Sequence, residues 1–161
     1  MTAKRFRVGY LDRPAHESFL RTAAGFPALD ILRIDPAAPE NEIEAAFRTC
    51  QGYYITSARD ELAPRWHADA DFLARMPELL MVASWGAGFD TVDGPACAAA
   101  GVAVVNQAGG NAPSVAEHAL AMIIALLKRI PEAHRAMIEG RAAHREGLMG
   151  RELTGRTVGL V

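Results

Sequence analysis

Before residue 106 the chain repeats one pattern five times: a short apolar run, then a stretch with apolar residues at helical spacing. The runs are RVGYL (7–11), DILRI (30–34), GYYIT (52–56), LLMVASW (79–85) and VAVVN (102–106). Between them lie HESFLRTAA (16–24), with Phe19, Leu20 and Ala23 on one face, and NEIEAAFRTC (41–50), with Ile43, Ala46 and Phe47 at helical spacing. DADFLARM (69–76) must stop before Pro77, and TVDGPACAAAG reads as a helix closing on Gly101. Strands separated in this way by helices pair in parallel and are buried on both faces. The pattern predicts an α/β fold built on a doubly wound parallel sheet.

From Ser114 the pattern changes. SVAEHALAMIIALLKRI reads as one long helix, apolar nearly all round, which has to be buried between two bodies. Ser114 and Glu117 are spaced as a capping box, with Ser114 as N-cap. A more polar helix is expected after Pro131, and GRELTGR then leads into TVGLV (157–161). That last run reads as a strand buried on both faces, so it needs a neighbour on each edge.

At 161 residues the chain has room for one ordinary domain and not for two. A net charge of −2 gives no electrostatic case for nucleic acid or for an anionic membrane. The longest strictly apolar stretch, 119–127, is far short of the roughly 20 residues of a membrane span. Cys50 and Cys97 have no metal-ligand or CxxC spacing, so they read as two reduced, buried thiols of a cytoplasmic protein, and no metal site is expected.

Two loops carry chemistry. SWGAGFDTVD (84–93) follows the fourth strand directly, and ligands of doubly wound sheets sit outside the carboxyl ends of strands. Gly86 and Gly88 let the backbone approach a ligand, and successive N–H groups there form a nest for a carboxylate or phosphate. The position favours anion binding over a plain turn. Asp90 is read as the cap of a helix beginning at Thr91. The second loop, NQAGGNAPSVAEH (106–118), runs from the fifth strand into the long helix and offers free N–H groups. There Asn111 either hydrogen-bonds a ligand or satisfies the loop itself, and His118 reads as structural.

Taken with the long helix and the terminal run, these loops resemble the D-isomer-specific 2-hydroxyacid dehydrogenase family, and within it the 3-phosphoglycerate dehydrogenase branch. GAGFDTVD, GVAVVN, NAPSVAEHAL, RIP, MGREL and GRTVGLV stand in family order from about Leu79 to Val161. Residues 1–78 match only in their strand and helix rhythm. The resemblance implies a flavodoxin-like substrate domain (residues 1–105). Residues 106–161 are then a crossover helix, a dimer arm and the first strand of a truncated Rossmann nucleotide-binding domain.

The resemblance implies an oxidoreductase that exchanges a hydride between NAD or NADP and a D-2-hydroxy acid or 2-oxo acid. The family's catalytic Arg, Glu and His follow a glycine-rich turn that lies beyond Val161. No catalytic residue is therefore assigned, and His16, His67, His118, His134 and His144 are not promoted to fill the place. By resemblance, the backbone amides of Trp85, Gly86, Ala87 and Gly88 hold the substrate carboxylate. Thr56, Ser57 and Arg59 face its variable group. Ala87, Asn111 and Ser114 lie near the cofactor. The phosphoglycerate branch places an Arg where Thr56 stands, a departure for which Arg59 is the candidate compensation. Residues 114–150 are expected to form a homodimer.

Two other classes share parts of this pattern. A binding or dimerisation module on the same scaffold, like the dehydrogenase-derived corepressors, ranks below the enzyme because no added peptide-binding segment is present. A receiver-like domain needs a phosphoacceptor Asp after the third strand, where this chain has Thr56 and Ser57.

Overall fold

All five runs become strands in a computed structural model of the chain, which describes residues 5–141 and 145–160. They are β1 (Phe6–Leu11), β2 (Leu29–Ile34), β3 (Gly52–Ile55), β4 (Met81–Ser84) and β5 (Ala103–Val105). Every pairing is parallel, in the order β2-β1-β3-β4-β5. Strand order reverses between β1 and β3, so the crevice for a ligand is expected at their carboxyl ends. The helices of this part are α1 (Ser18–Ala23), α2 (Glu40–Phe47), α3 (Ala70–Arg75) and α4 (Gly94–Ala99).

Alternation along the strands divides the apolar residues between two faces. Tyr53, Ile55 and Val82 meet Ile43 and Phe47 of α2, Phe72 and Leu73 of α3, and Cys97 of α4 in the larger core. On the other face Val8, Tyr10 and Tyr54 pack with Phe19 of α1, and the Phe19 and Tyr54 rings stack at 4.2 Å. Helices thus cover both faces, as the doubly wound reading requires. Both cysteines are free and buried. The edge strand β5 is the exception: all three of its residues are exposed.

The chain divides into two compact units, residues 1–110 and 111–161. The second contains α5 (Ala112–Leu127) and α6 (Ile130–Ile138). No residue of α5 is buried. Among the described residues no helix is long and apolar enough to cross a membrane.

Several expectations are corrected. The N-cap of α5 is Asn111, and Ser114 lies inside the first turn, so no capping box forms. Pro113 is the reason: its fixed φ and missing N–H suit the first helical positions, which draws the helix back past Ser114. Likewise α6 begins at Ile130, with Pro131 inside its first turn rather than before it. Asp90 caps nothing: α4 starts three residues later than expected, and its N-cap is Asp93, whose carboxylate accepts the Ala96 amide at 3.0 Å. The terminal run forms no strand over 157–160, and Val161 lies outside the described residues. Val158 is 45% exposed and Leu160 89%. A strand is stable only when its backbone groups pair along an edge, and no described residue pairs with this one. Thr157 and Val158 instead line a shallow groove with Ile123, Leu126 and Leu127.

Candidate functional site

At the switch point the carboxyl ends of β1, β3 and β4 enclose a cavity of about 400 Å3. Leu11 and Arg13 line it from β1, Tyr54 and Thr56 from β3, and Trp85 from the end of β4. Glu61 and Trp66, from two short 3-10 segments after β3, complete the wall. Buried hydrogen bonding fixes the wall: the Tyr53 hydroxyl donates to the Trp66 carbonyl at 3.1 Å. The Tyr54 and Trp85 rings meet edge to face at 5.4 Å. Asp12 leaves β1 with φ 62°, a left-handed conformation that Asp tolerates. Its amide donates to the Ile34 carbonyl, and its carboxylate lies 3.6 Å from the Arg33 guanidinium.

Beside the cavity runs the loop 84–93. Its carbonyls point into the protein. The Gln107 amide donates to the Gly86 carbonyl at 3.0 Å, the Asn106 side-chain amide to Ala87 at 2.7 Å, and the Ser84 hydroxyl to Gly88 at 2.7 Å. Three consecutive carbonyls are thereby satisfied from within. Among the described residues the amides of Ala87 and Gly88 have no acceptor. Successive N–H groups left without an acceptor are the kind of donors an anion nest is made of. The Gly86 amide makes only a long contact to the Ser84 hydroxyl, 3.4 Å. The Trp85 amide is different from the expectation: it donates to the Ile55 carbonyl at 3.0 Å, in the ladder between β4 and β3. Trp85 reaches the site through its ring, not through its N–H.

The far end of the loop is fastened to β3. Thr91 is buried, and its hydroxyl donates to the Thr56 carbonyl. The Arg59 Nε donates to the Asp90 carbonyl at 2.7 Å. Arg59 is not among the residues that line the cavity. Thr56 itself is buried, and its hydroxyl donates to the Glu61 carboxylate at 2.5 Å. Ser57 lies against Gly86 so closely that no β-carbon fits there.

In the second unit Asn111 and Ser114 stand exposed at the first turn of α5, and Asn111 makes no side-chain cap. Their polar groups are open to a ligand. His16 bonds Ser18, and His67 bonds the Leu62 carbonyl at 3.1 Å. His118 and His134 are exposed, and His144 lies outside the described residues. Among the described residues no three His, Cys, Asp or Glu side chains gather as metal ligands would.

No pattern in the sequence marks Glu61, Trp66 or Arg13. The stretch 57–68 has no periodicity to read, and Arg13 follows a strand whose place beside the switch point appears only once the strand order is known.

Similarity to known proteins agrees with this geometry. The profile of the D-isomer specific 2-hydroxyacid dehydrogenase catalytic domain matches residues 11–157. The D-3-phosphoglycerate dehydrogenase of Mycobacterium tuberculosis is 44% identical over 93 residues, which are 58% of this chain and 17% of that protein. That of Homo sapiens is 33% identical over 122 residues, 76% of this chain and 21% of the relative. Among solved structures, D-lactate dehydrogenase from Aquifex aeolicus, complexed with NAD and lactic acid, is similar with a TM-score of 0.67 and 25% identity. That match covers 91% of this chain and 41% of that one. A 2-hydroxyacid dehydrogenase from Ketogulonicigenium vulgare shares the fold with a TM-score of 0.69 at 21% identity, over 95% of this chain and 46% of that one. The chain spans about a fifth of the length of these curated relatives.

Proposed function

The chain belongs to the D-isomer specific 2-hydroxyacid dehydrogenase family, and on that premise we propose that its first unit binds a small 2-oxo or D-2-hydroxy acid for NAD(P)-dependent hydride exchange. One observation supports this above the others: the outward amides of Ala87 and Gly88, whose carbonyl neighbours are all satisfied from inside. Those amides hold the acid's carboxylate, and Gly86 lets it come close. Ser57 stands beside the same loop. Thr56 and the Trp85 ring bound the space for the acid's variable group.

The nicotinamide, when bound, supplies or accepts the hydride at the acid's second carbon. Family resemblance supports Ala87 in the first unit and Asn111 and Ser114 in the second, each exposed within its own unit. These three are the proposed cofactor contacts. By family resemblance, the Arg that orients the acid and the His–Glu pair that moves its proton follow a glycine-rich turn not contained in these 161 residues. The 161-residue chain alone is therefore proposed to bind the acid without turning it over, in the cytoplasm.

Titrating the chain with pyruvate while following backbone amide resonances tests this. The largest shifts are expected at Ala87 and Gly88, with no oxidation of NADH. Shifts confined to other loops, or none, would remove the reading.

Homodimerisation through residues 114–150 is the second part of the proposal. It is supported by the exposed apolar side chains of Val115, Leu120, Met122, Ile124 and Leu126 on α5. At about 25 cal/mol per Å2, covering several hundred Å2 of such surface contributes several kcal/mol. Sedimentation equilibrium should show a dimer that Leu126→Arg weakens; a monomer at all accessible concentrations would end the proposal.

A further inference from the structure

We propose that Glu61 selects the chemical class of the acid: a substrate whose distal group donates a hydrogen bond is accepted, and one whose distal group is a phosphate or carboxylate is turned away. The inference rests on the reading of Ala87 and Gly88 as the carboxylate loop and adds to it what lies at the acid's other end.

With its carboxylate on those amides, the acid must direct its remaining atoms into a neighbouring space. The cavity at the carboxyl ends of β1, β3 and β4 is that space, since Trp85 immediately precedes Gly86 and Thr56 immediately precedes Ser57, and both line it. The polar pair on this wall is buried Thr56 with exposed Glu61. Thr56 has one proton to donate, and it goes to Glu61 at 2.5 Å. The hydroxyl oxygen in turn accepts the Ala58 amide at 3.3 Å. Thr56 has no proton left to donate, and what the pair offers a ligand is lone pairs, acceptors only. Glu61 takes part in no ion pair among the described residues. A second anion brought against it is repelled, whereas a hydroxyl is bonded.

Arg13 is the one group on the wall that argues the other way. It is exposed on the loop leaving β1, and among the described residues no hydrogen bond or ion pair ties it to Ser57 or to the loop 84–93. Glu61 bonds Thr56, whose neighbour Ser57 lies against Gly86, so of the two charged groups it is the one tied to the carboxylate loop.

The chain has two tryptophans, Trp66 and Trp85, and both line this cavity. Intrinsic fluorescence therefore reports on the cavity alone. The chain would be titrated at constant ionic strength with pyruvate, hydroxypyruvate and 3-phosphohydroxypyruvate. Hydroxypyruvate should bind about fivefold or more tightly than the phosphorylated acid, a ratio suited to a partly solvated carboxylate. Glu61→Gln and Glu61→Ala should each bring the two within about twofold, and Arg13→Gln should leave the ratio standing. Equal binding of the two acids by the unaltered chain, or a ratio that survives both Glu61 variants, overturns the role of Glu61 while pyruvate binding keeps the carboxylate loop. No response to any of the three acids overturns both.

Discussion

A β-carbon on Gly86 would stand 2.6 Å from the Ser57 hydroxyl oxygen and 3.0 Å from the Ser57 β-carbon. The end of β3 and the loop after β4 are therefore pressed together with room for no side chain between them. Gly86→Ala must push Ser57 or the loop aside, and overpacking of this kind costs about 1–3 kcal/mol. The amides of Ala87 and Gly88 move with the loop, so acid binding should weaken together with stability. Ser57→Gly in the same chain removes the colliding atoms. If the double variant shows no recovery of thermal stability, the contact is not what makes Gly86 necessary.

Thr91 makes a related attachment. It is 2% exposed, and its hydroxyl donates to the Thr56 carbonyl across the gap between β3 and the start of α4. Thr91→Val keeps the shape and removes the donor, leaving a buried carbonyl unsatisfied. That loss is about 1–3 kcal/mol. Urea unfolding should show a lower midpoint with an unchanged slope, and hydrogen exchange at Ala68, whose amide donates to the Thr91 carbonyl, should quicken.

How far these features can be read without coordinates follows from their physics. The strands and the helices after them were legible because short apolar runs alternate with stretches of helical spacing, a pattern that edge strand β5 keeps although its residues are exposed. The glycine loop was legible because its position after β4 follows from the strand pattern. What escaped depends on contacts between distant residues. Asp93 rather than Asp90 caps α4 because the turn from Phe89 to Val92, closed by a 2.9 Å bond, delays the helix. Asn111 displaces Ser114 because Pro113 decides the start of α5. Glu61 and Trp66 reach the cavity through 3-10 turns with no periodicity, held by Tyr53 and Thr56. TVGLV was expected as a strand from composition alone, but a strand is a property of a pair.

Burial raises the thiols of Cys50 and Cys97 above their ordinary value of 9.0, and it raises the Tyr53 hydroxyl strongly as well. In the unfolded chain these groups ionise at their ordinary values. The folded chain holds its protons longer, so their contribution is complete below about pH 9 and is lost as pH rises from there towards the folded values. Unfolding midpoints measured from about pH 8 to about pH 10.5 should fall with pH, and Cys50→Ala with Cys97→Ala should flatten the fall. A midpoint that is level over this range in the unaltered chain would contradict the burial of both thiols.

In the second unit, Gly150 lies against the end of α5. A β-carbon there would meet the Lys128 α-carbon at 2.5 Å and the Leu127 carbonyl oxygen at 2.6 Å. Both are backbone atoms, so neither can rotate away as a side chain would. The next residue completes the attachment: the Arg151 amide donates to the Leu127 carbonyl at 2.8 Å, satisfying a group that the helix end leaves open. Gly150→Ala should therefore detach the segment 149–153 from α5 rather than distort it slightly. It loses that hydrogen bond, about 1 kcal/mol, and frees Leu153 from the groove it shares with Leu126 and Leu127. Limited proteolysis reads the difference directly. Cleavage after Arg151 or Arg156 should quicken in Gly150→Ala, while sites within residues 5–110 keep the rate of the unaltered chain. Equal cleavage at Arg151 in both proteins would mean that the segment is not held by this close approach.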